Sequence, residues 1–427
     1  MGLDTHTYHE YVTILEKELV PALGCTEPIA IAYASAVARK TLGCIPEKIT
    51  AACSGNIIKN VKSVIVPNSG GLKGIEAAAT IGAIGGNPDK KLEVLTDVTE
   101  EDIKRTRELL KTDYCSVEVL NGVANLHIII TAVAGEEKAV VEIIDTHTNI
   151  VRVEKNDQVI FKSSSEKNSK NEYQQIDWDC LNIEDILEFA NTVRLEDVKE
   201  ILDRQINYNT TISNEGLTHQ YGANIGKTLL DEYGNSIRVR AKAKAAAGSD
   251  ARMSGCVLPV VINSGSGNQG MTVSLPVIEY AKELEVGSEK LYRALVVSNL
   301  IAIYLKSGIG RLSAYCGAVS AACGSGAAIT YLYGGDYDHI CKTITNTLAN
   351  ISGIVCDGAK PSCAAKIATS VDAAIMAHYL SMGDNAFTSG EGIVKDDVEK
   401  TIDSIGRLAR DGMKETDVEV LKIMVEK

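Results

Sequence analysis

Apolar residues return every three or four positions at the start of the chain. Tyr8, Tyr11, Val12, Ile14, Leu15 and Leu19 predict a helix over residues 7–20. Pro21 stops it, and Pro28 sits in the first turn of a second helix, IAIAYASAVARKTLG, which ends at Gly43. The loop PALGCTEP between them carries Cys25. KITAACSG reads as a short strand that opens into GNIIKNVKSV. PNSGGLKGIEAAATIGAIGG reads as a Gly-rich turn running into an Ala-rich helix.

From about residue 91 the period shortens. KLEVLTDV, SVEVL, NLHIIITAVA, KAVVEIID and IVRVEKN read as strands, and TEEDIKRTRELLK as an amphipathic helix. KSSSEKNSKNEYQQ is polar and reads as a linker. From about residue 182 onward the pattern is helical almost throughout, rich in Ala and Gly, with no repeat of fixed period. The predicted class is α+β. A mainly helical domain, discontinuous in sequence (residues 1–90 and 170–427), is interrupted by a small α/β subdomain over residues 91–169.

Hydrophobic residues make up 45% of the 427, enough for a substantial core, while aromatics at 5% are too few for stacking on nucleic-acid bases. The net charge of −13 repels phosphate backbones, and Arg238, Arg240, Lys242 and Lys244 form the densest basic run. Nucleic acid is therefore not an expected partner. The opening MGLDTHTYHEYV has no basic-then-apolar leader pattern, and no apolar run reaches spanning length. The expectation is a soluble, cytoplasmic protein without a membrane partner, for which a homodimer is one allowed assembly.

Eleven cysteines in a reducing compartment are not a disulfide framework; some fill the core and some are candidate ligands. Cys316, Cys356 and Cys363 sit at helix breaks beside glycine, in LSAYCGAV and IVCDGAKPSCAAK. Glycine lets a backbone approach a bulky inorganic core, and soft thiolates suit iron–sulfur clusters or zinc. The closest spacing is seven residues (Cys316–Cys323 and Cys356–Cys363), wider than a zinc knuckle. Spacing alone leaves cluster, zinc and buried apolar cysteine open.

INSGSGNQGM places a Gly/Ser-rich turn ahead of an apolar helix predicted to begin near Met271, a ready site for a carboxylate. SGNIIKN and PNSGG are second candidates of the same kind.

The chain resembles the α-chain of the bacterial iron–sulfur L-serine dehydratases, and more closely the L-cysteine desulfidases. The resemblance rests on PALGCTEPIAIAYA, SGNIIKN, INSGSGNQG, GRLSAYCGA and CDGAKPSCAAK, which span Cys25 to Lys366. It implies a [4Fe-4S] cluster on Cys316, Cys356 and Cys363, with L-cysteine as the small amino-acid substrate. Sulfide elimination at an open iron would give pyruvate, ammonia and hydrogen sulfide. The Cys356–Cys363 interval is shorter than in the dehydratases, and the chain ends KIMVEK without their terminal Cys. Cys25 then stands as a fourth, displaceable ligand or a catalytic thiol. A ligand set of Cys25, Cys316 and Cys356, with Cys363 as bystander, is the alternative.

Candidates for the base are Lys59, Lys360, His219 and Cys25. Asn263, Ser264 and Gly265, with Ser54 and Asn56, are the expected substrate contacts. Cys44, Cys53, Cys115, Cys180, Cys256, Cys323 and Cys341 are read as core or surface residues. L-serine dehydration by the same site, or a non-enzymatic iron–sulfur sensor, are the competing functions.

Overall fold

The computed structural model describes residues 3–163 and 176–426. Most of the expected linker, KSSSEKNSKNEYQQ, lies outside the described residues.

The strands are β1 (Pro21–Leu23), β2 (Lys48–Ser54), β3 (Cys115–Leu120), β4 (His127–Ala134), β5 (Glu137–Ile144), β6 (Ile150–Lys155), β7 (Gln158–Lys162) and β8 (Pro259–Val261). Six of them form one mixed sheet in the order β3-β2-β4-β5-β6-β7, in which only the β2–β3 pair is parallel. Its second strand therefore comes from residues 48–54, within the segment that the sequence pattern groups with the helices. Helices Thr26–Leu42 and Gly74–Gly85 pack on this sheet and on each other. Gly82 sets how closely they approach, because a Cβ there would lie 2.3 Å from the Ala32 carbonyl oxygen.

KLEVLTDV departs from the strand expected of it. Pro88–Glu93 is a 3-10 turn whose first amide is capped by the Asn87 side chain, with Pro88 fixing its first φ. Val94 and Leu95 are both buried, so burial does not alternate as a one-faced strand requires. β7, unassigned by pattern, is exposed along its length, which removes the alternation that would have marked it.

The rest is a helical body. Ser288–Ile309, Gly317–Leu332, Gly267–Glu283, Ile237–Met253 and Cys363–Met382 pack at its centre, with Ala and Gly at the crossings. The α+β class holds. β1 pairs antiparallel with β8, Pro21 opposite Val261, and this two-stranded sheet ties the Cys25 loop to the INSGSGNQG turn. Among the described residues no helix is long and apolar enough to cross a membrane.

Candidate functional site

Four cysteines from three chain segments line one cavity of about 100 Å³: Cys25, Cys316, and the pair Cys356 and Cys363. Local structure delivers each of them. Cys25 caps the helix Thr26–Leu42, following Gly24, whose φ of +58° and contact with Pro67 exclude a side chain. Cys316 caps the helix Gly317–Leu332. The chain then turns through Tyr337–Ile351 and returns to place Cys356 beside it. The Cys316 amide donates to the Ile354 carbonyl at 3.1 Å and the Cys356 amide to the Ala314 carbonyl at 2.6 Å, so the two cysteine turns are zipped together. The forty-residue interval is the length of that helical excursion. Cys363 opens the helix Cys363–Met382, and its thiol donates to the Gly358 carbonyl at 3.6 Å. Gly358 has φ +94°, and a Cβ on it would sit 2.5 Å from the Lys59 carbonyl oxygen.

Three of the four thiols thus sit at helix N-termini, where free amides and the helix dipole favour a thiolate. The backbone amides of Glu27, Ala318 and Lys360 pull the thiols of Cys25, Cys316 and Cys363 down, respectively. Burial opposes ionisation. It pushes the Cys316 thiol up to about 12, with Cys356 adding to the rise, and raises Cys25 and Cys363 as well. In the metal-free chain these are neutral thiols, and a cationic core would exchange for their protons. Among the described residues no three His, Cys, Asp or Glu side chains converge on a single-ion site. The thiols border a space instead, which fits a cluster that spreads its ligand sulfurs apart better than it fits one ion. Cys323 is fully buried, its thiol on the Ile344 carbonyl at 3.8 Å, and does not line the cavity.

The cavity wall also carries Glu27, Asn60, Arg252, Gln269, Lys306 and Arg311. Glu27 accepts from the Cys25 thiol and from Asn60 Nδ2, both at 3.1 Å. Lys306 is buried, and burial lowers it to about 8 against the pull of the Cys356 and Cys316 sulfurs. A larger cleft of about 840 Å³ adjoins, lined by Ser264, Tyr304 and Arg407 among others, and Lys306 and Arg311 belong to both. Arg311 pairs with the buried Glu18 at 2.5 Å.

The other sequence candidates are distributed differently. Lys59 is buried in an ion pair with Asp417 of the helix Lys414–Val425, and Asn56 Nδ2 donates to the same carboxylate at 2.7 Å. Ser54 donates to the Asn125 carbonyl at 2.7 Å. These three line a separate cavity of about 150 Å³. Lys360 pairs with Asp357 at 3.3 Å. Asn263 turns to Asn299 at 3.0 Å, and Ser264 donates to Asn263 Oδ1 at 2.9 Å. Gly265 accepts from Thr26 Oγ1 at 2.9 Å and packs near Arg311 and His147. His219 is exposed and pairs with Glu215 at 3.0 Å.

Several residues in the wall had no place in the sequence reading. Glu27 and Asn60 lie within quoted motifs, one or two positions from the residues singled out. Lys306 carried a signal, a lone charge inside LIAIYLKSG. Arg252 ends an Ala-rich helix and carried none. Outside that wall, in a neighbouring cavity, His147 comes from the β5–β6 turn of the sheet, 5% exposed, and burial lowers it to about 4.

Residues 89–422 match the family described as serine dehydratase alpha chain. A UPF0597 protein of Lachnoclostridium phytofermentans is 59% identical over 418 residues, covering 98% of this chain and 100% of that one. A UPF0597 protein of Treponema denticola is 53% identical over 433 residues, covering 100% of both, and one from Desulfitobacterium hafniense is 54% identical over 418 residues, covering 98% and 97%.

Proposed function

Because the chain belongs to the serine dehydratase alpha chain family, we propose that it is a carbon–sulfur lyase acting on L-cysteine, with a [4Fe-4S] cluster on Cys316, Cys356 and Cys363. Its products are pyruvate, ammonia and hydrogen sulfide. The observation that carries this reading is the meeting of Cys25, Cys316, Cys356 and Cys363 in one buried cavity, among helix N-termini that favour thiolates.

Bound there, the cluster supplies a Lewis-acidic iron with affinity for the substrate's sulfur. The chain's own residues do the rest. Cys316, Cys356 and Cys363 give three thiolates, and Cys25 faces the same space as a displaceable fourth. The α-proton of the substrate must pass to a group in the wall, and Lys306 stands where the cleft opens onto the thiols. Lys59 and Lys360 act on the reaction through position: Lys59 anchors the backbone under Gly358, and Lys360 and Asp357 brace the Cys356–Cys363 turn. Substrate enters by the larger cleft, and the apolar packing of Tyr315, Ala318 and Ile367 keeps bulk water from the thiols.

The family description favours a second reading, dehydration of L-serine at the same cavity. Anaerobically purified protein given each amino acid separates the two. Sulfide and pyruvate released in equal amounts from L-cysteine, faster than pyruvate from L-serine, is the expected result. Faster pyruvate release from L-serine selects dehydration, and a protein that holds iron yet releases neither product contradicts both.

A further inference from the structure

Arg252 is 2% exposed and lines the thiol cavity from the last turn of the helix Ile237–Met253. Its Nε donates to the Gly24 carbonyl at 2.9 Å. Among the described residues no carboxylate lies within ion-pair reach of its guanidinium, although every other buried or half-buried charge in the wall is engaged or tunable. Glu27 is held by Cys25 and Asn60, and Arg311 by Glu18. Lysine can shed its proton when buried; arginine cannot, so a buried arginine without a counter-ion calls for an anion from outside. Its two remaining nitrogens form a planar fork that matches a carboxylate.

A second feature faces the same space. Gln269 is 5% exposed, and its Oε1 accepts no hydrogen bond. Its amide lies against Gly317, where a Cβ would fall 2.6 Å from Gln269 Cδ, so the group is held beside the Cys316 turn. Asn268, the preceding residue, also lines the cavity with an unpaired Oδ1. Two buried carbonyl oxygens without partners are acceptors awaiting a donor, and leaving them so costs free energy.

Resting on the lyase reading above, we propose that Arg252 binds the substrate's α-carboxylate and that Gln269, with Asn268, binds its α-ammonium. A fork of donors and a pair of acceptors in one cavity select a zwitterionic α-amino acid over a simple thiol, amine or acid. They would hold the β-substituent toward the cysteines. This assigns the carboxylate to a side chain of the helix before β8 rather than to the amides of INSGSG, and it uses the second half of that motif, Asn268 and Gln269, as the ammonium site.

The test uses L-alanine, which has both charged groups and nothing to eliminate, in equilibrium dialysis against the anaerobically purified holoprotein. Propionate and ethylamine serve as competitors that each lack one group. Wild type is expected to bind L-alanine. Arg252→Met should weaken it about tenfold to a hundredfold, the worth of a charged hydrogen-bonded pair, and abolish competition by propionate. Gln269→Met should weaken L-alanine and ethylamine while leaving propionate competition intact. Because Arg252 also holds Gly24, Arg252→Lys is run beside it, keeping the charge and losing the fork; weakened propionate competition with iron content unchanged is expected.

L-alanine binding within twofold of wild type in both Arg252 variants overturns the assignment, as does failure of wild type to bind L-alanine at all. Sulfide or pyruvate release is measured on the same samples. Turnover that survives Arg252→Met unaltered removes the clamp and leaves the lyase. Arg252-dependent L-alanine binding without any turnover keeps the clamp and removes the lyase.

Discussion

Cys25 donates its thiol hydrogen to Glu27 Oε2 at 3.1 Å, and the other oxygen of that carboxylate accepts from Asn60 Nδ2 at the same distance. Glu27 thereby joins the PALGCTEP loop to SGNIIKN inside the cavity wall. Glu27→Ala leaves two buried groups without partners and should cost about 1–3 kcal/mol of stability in urea unfolding, whereas Glu27→Gln, which still offers an acceptor to Asn60, should cost less. Equal losses would mean that the bond to Asn60 carries no weight.

The pair between Lys59 and Asp417 fastens the last helix to the floor under Gly358. Asp417→Asn strands a buried ammonium and should cost about 3 kcal/mol, because breaking one side of a buried pair leaves an uncompensated charge. The double variant Lys59→Met, Asp417→Leu should recover most of that. Urea midpoints for the single and double variants decide it.

Gly358 is the one position in the Cys356–Cys363 turn where both φ and space forbid a side chain. Gly358→Ala should destabilise the fold by about 1–3 kcal/mol and lower the iron bound after anaerobic reconstitution. Unchanged iron content would show that the turn tolerates repositioning.

His378 is fully buried, with its Nδ1 3.0 Å from Thr330 Oγ1, and burial lowers it to about 4. His147 is lowered to the same value. Both are neutral in the fold and take up protons near pH 6.5 when unfolded. Between pH 6.5 and about 4 the unfolded state therefore holds more protons, and stability falls as pH falls. The folded state gains its own proton below that window, where the slope ends. Each histidine contributes on the order of 3 kcal/mol across it. His378→Gln should remove roughly half of this histidine-linked slope, read from urea midpoints at stepped pH.

Much of the architecture was legible because the residues that make it obey a local period. The first two helices and the strands between residues 115 and 155 follow from spacing alone, and Pro21 and Gly43 mark two of the boundaries. The lapses were places where burial broke the period: Val94 and Leu95 face inward together, and β7 is exposed on both sides. The β1–β8 pairing joins residues some 240 positions apart, and no local pattern encodes it.

The site divides in the same way. Cys25, Cys316, Cys356 and Cys363 stood out because thiols beside Gly turns carry a chemical signature. Lys59, Asn56 and Ser54 sit in a motif of the same kind, yet the fold gives them to Asp417 and Asn125, partners that only the three-dimensional arrangement supplies. Arg252 was invisible because an arginine in the last turn of a helix reads as an ordinary complement to the dipole. Its lack of a counter-ion is a property of the assembled cavity.

Iron content measured on anaerobically reconstituted wild type and single Cys→Ala variants tests the central claim most directly. About four iron and four sulfide per chain are predicted for wild type and Cys323→Ala, with most of both lost in Cys316→Ala, Cys356→Ala and Cys363→Ala. Cys25→Ala should keep most of its iron and lose activity, which separates a displaceable fourth position from the alternative set. A full complement of iron in Cys316→Ala or Cys363→Ala would contradict the assignment.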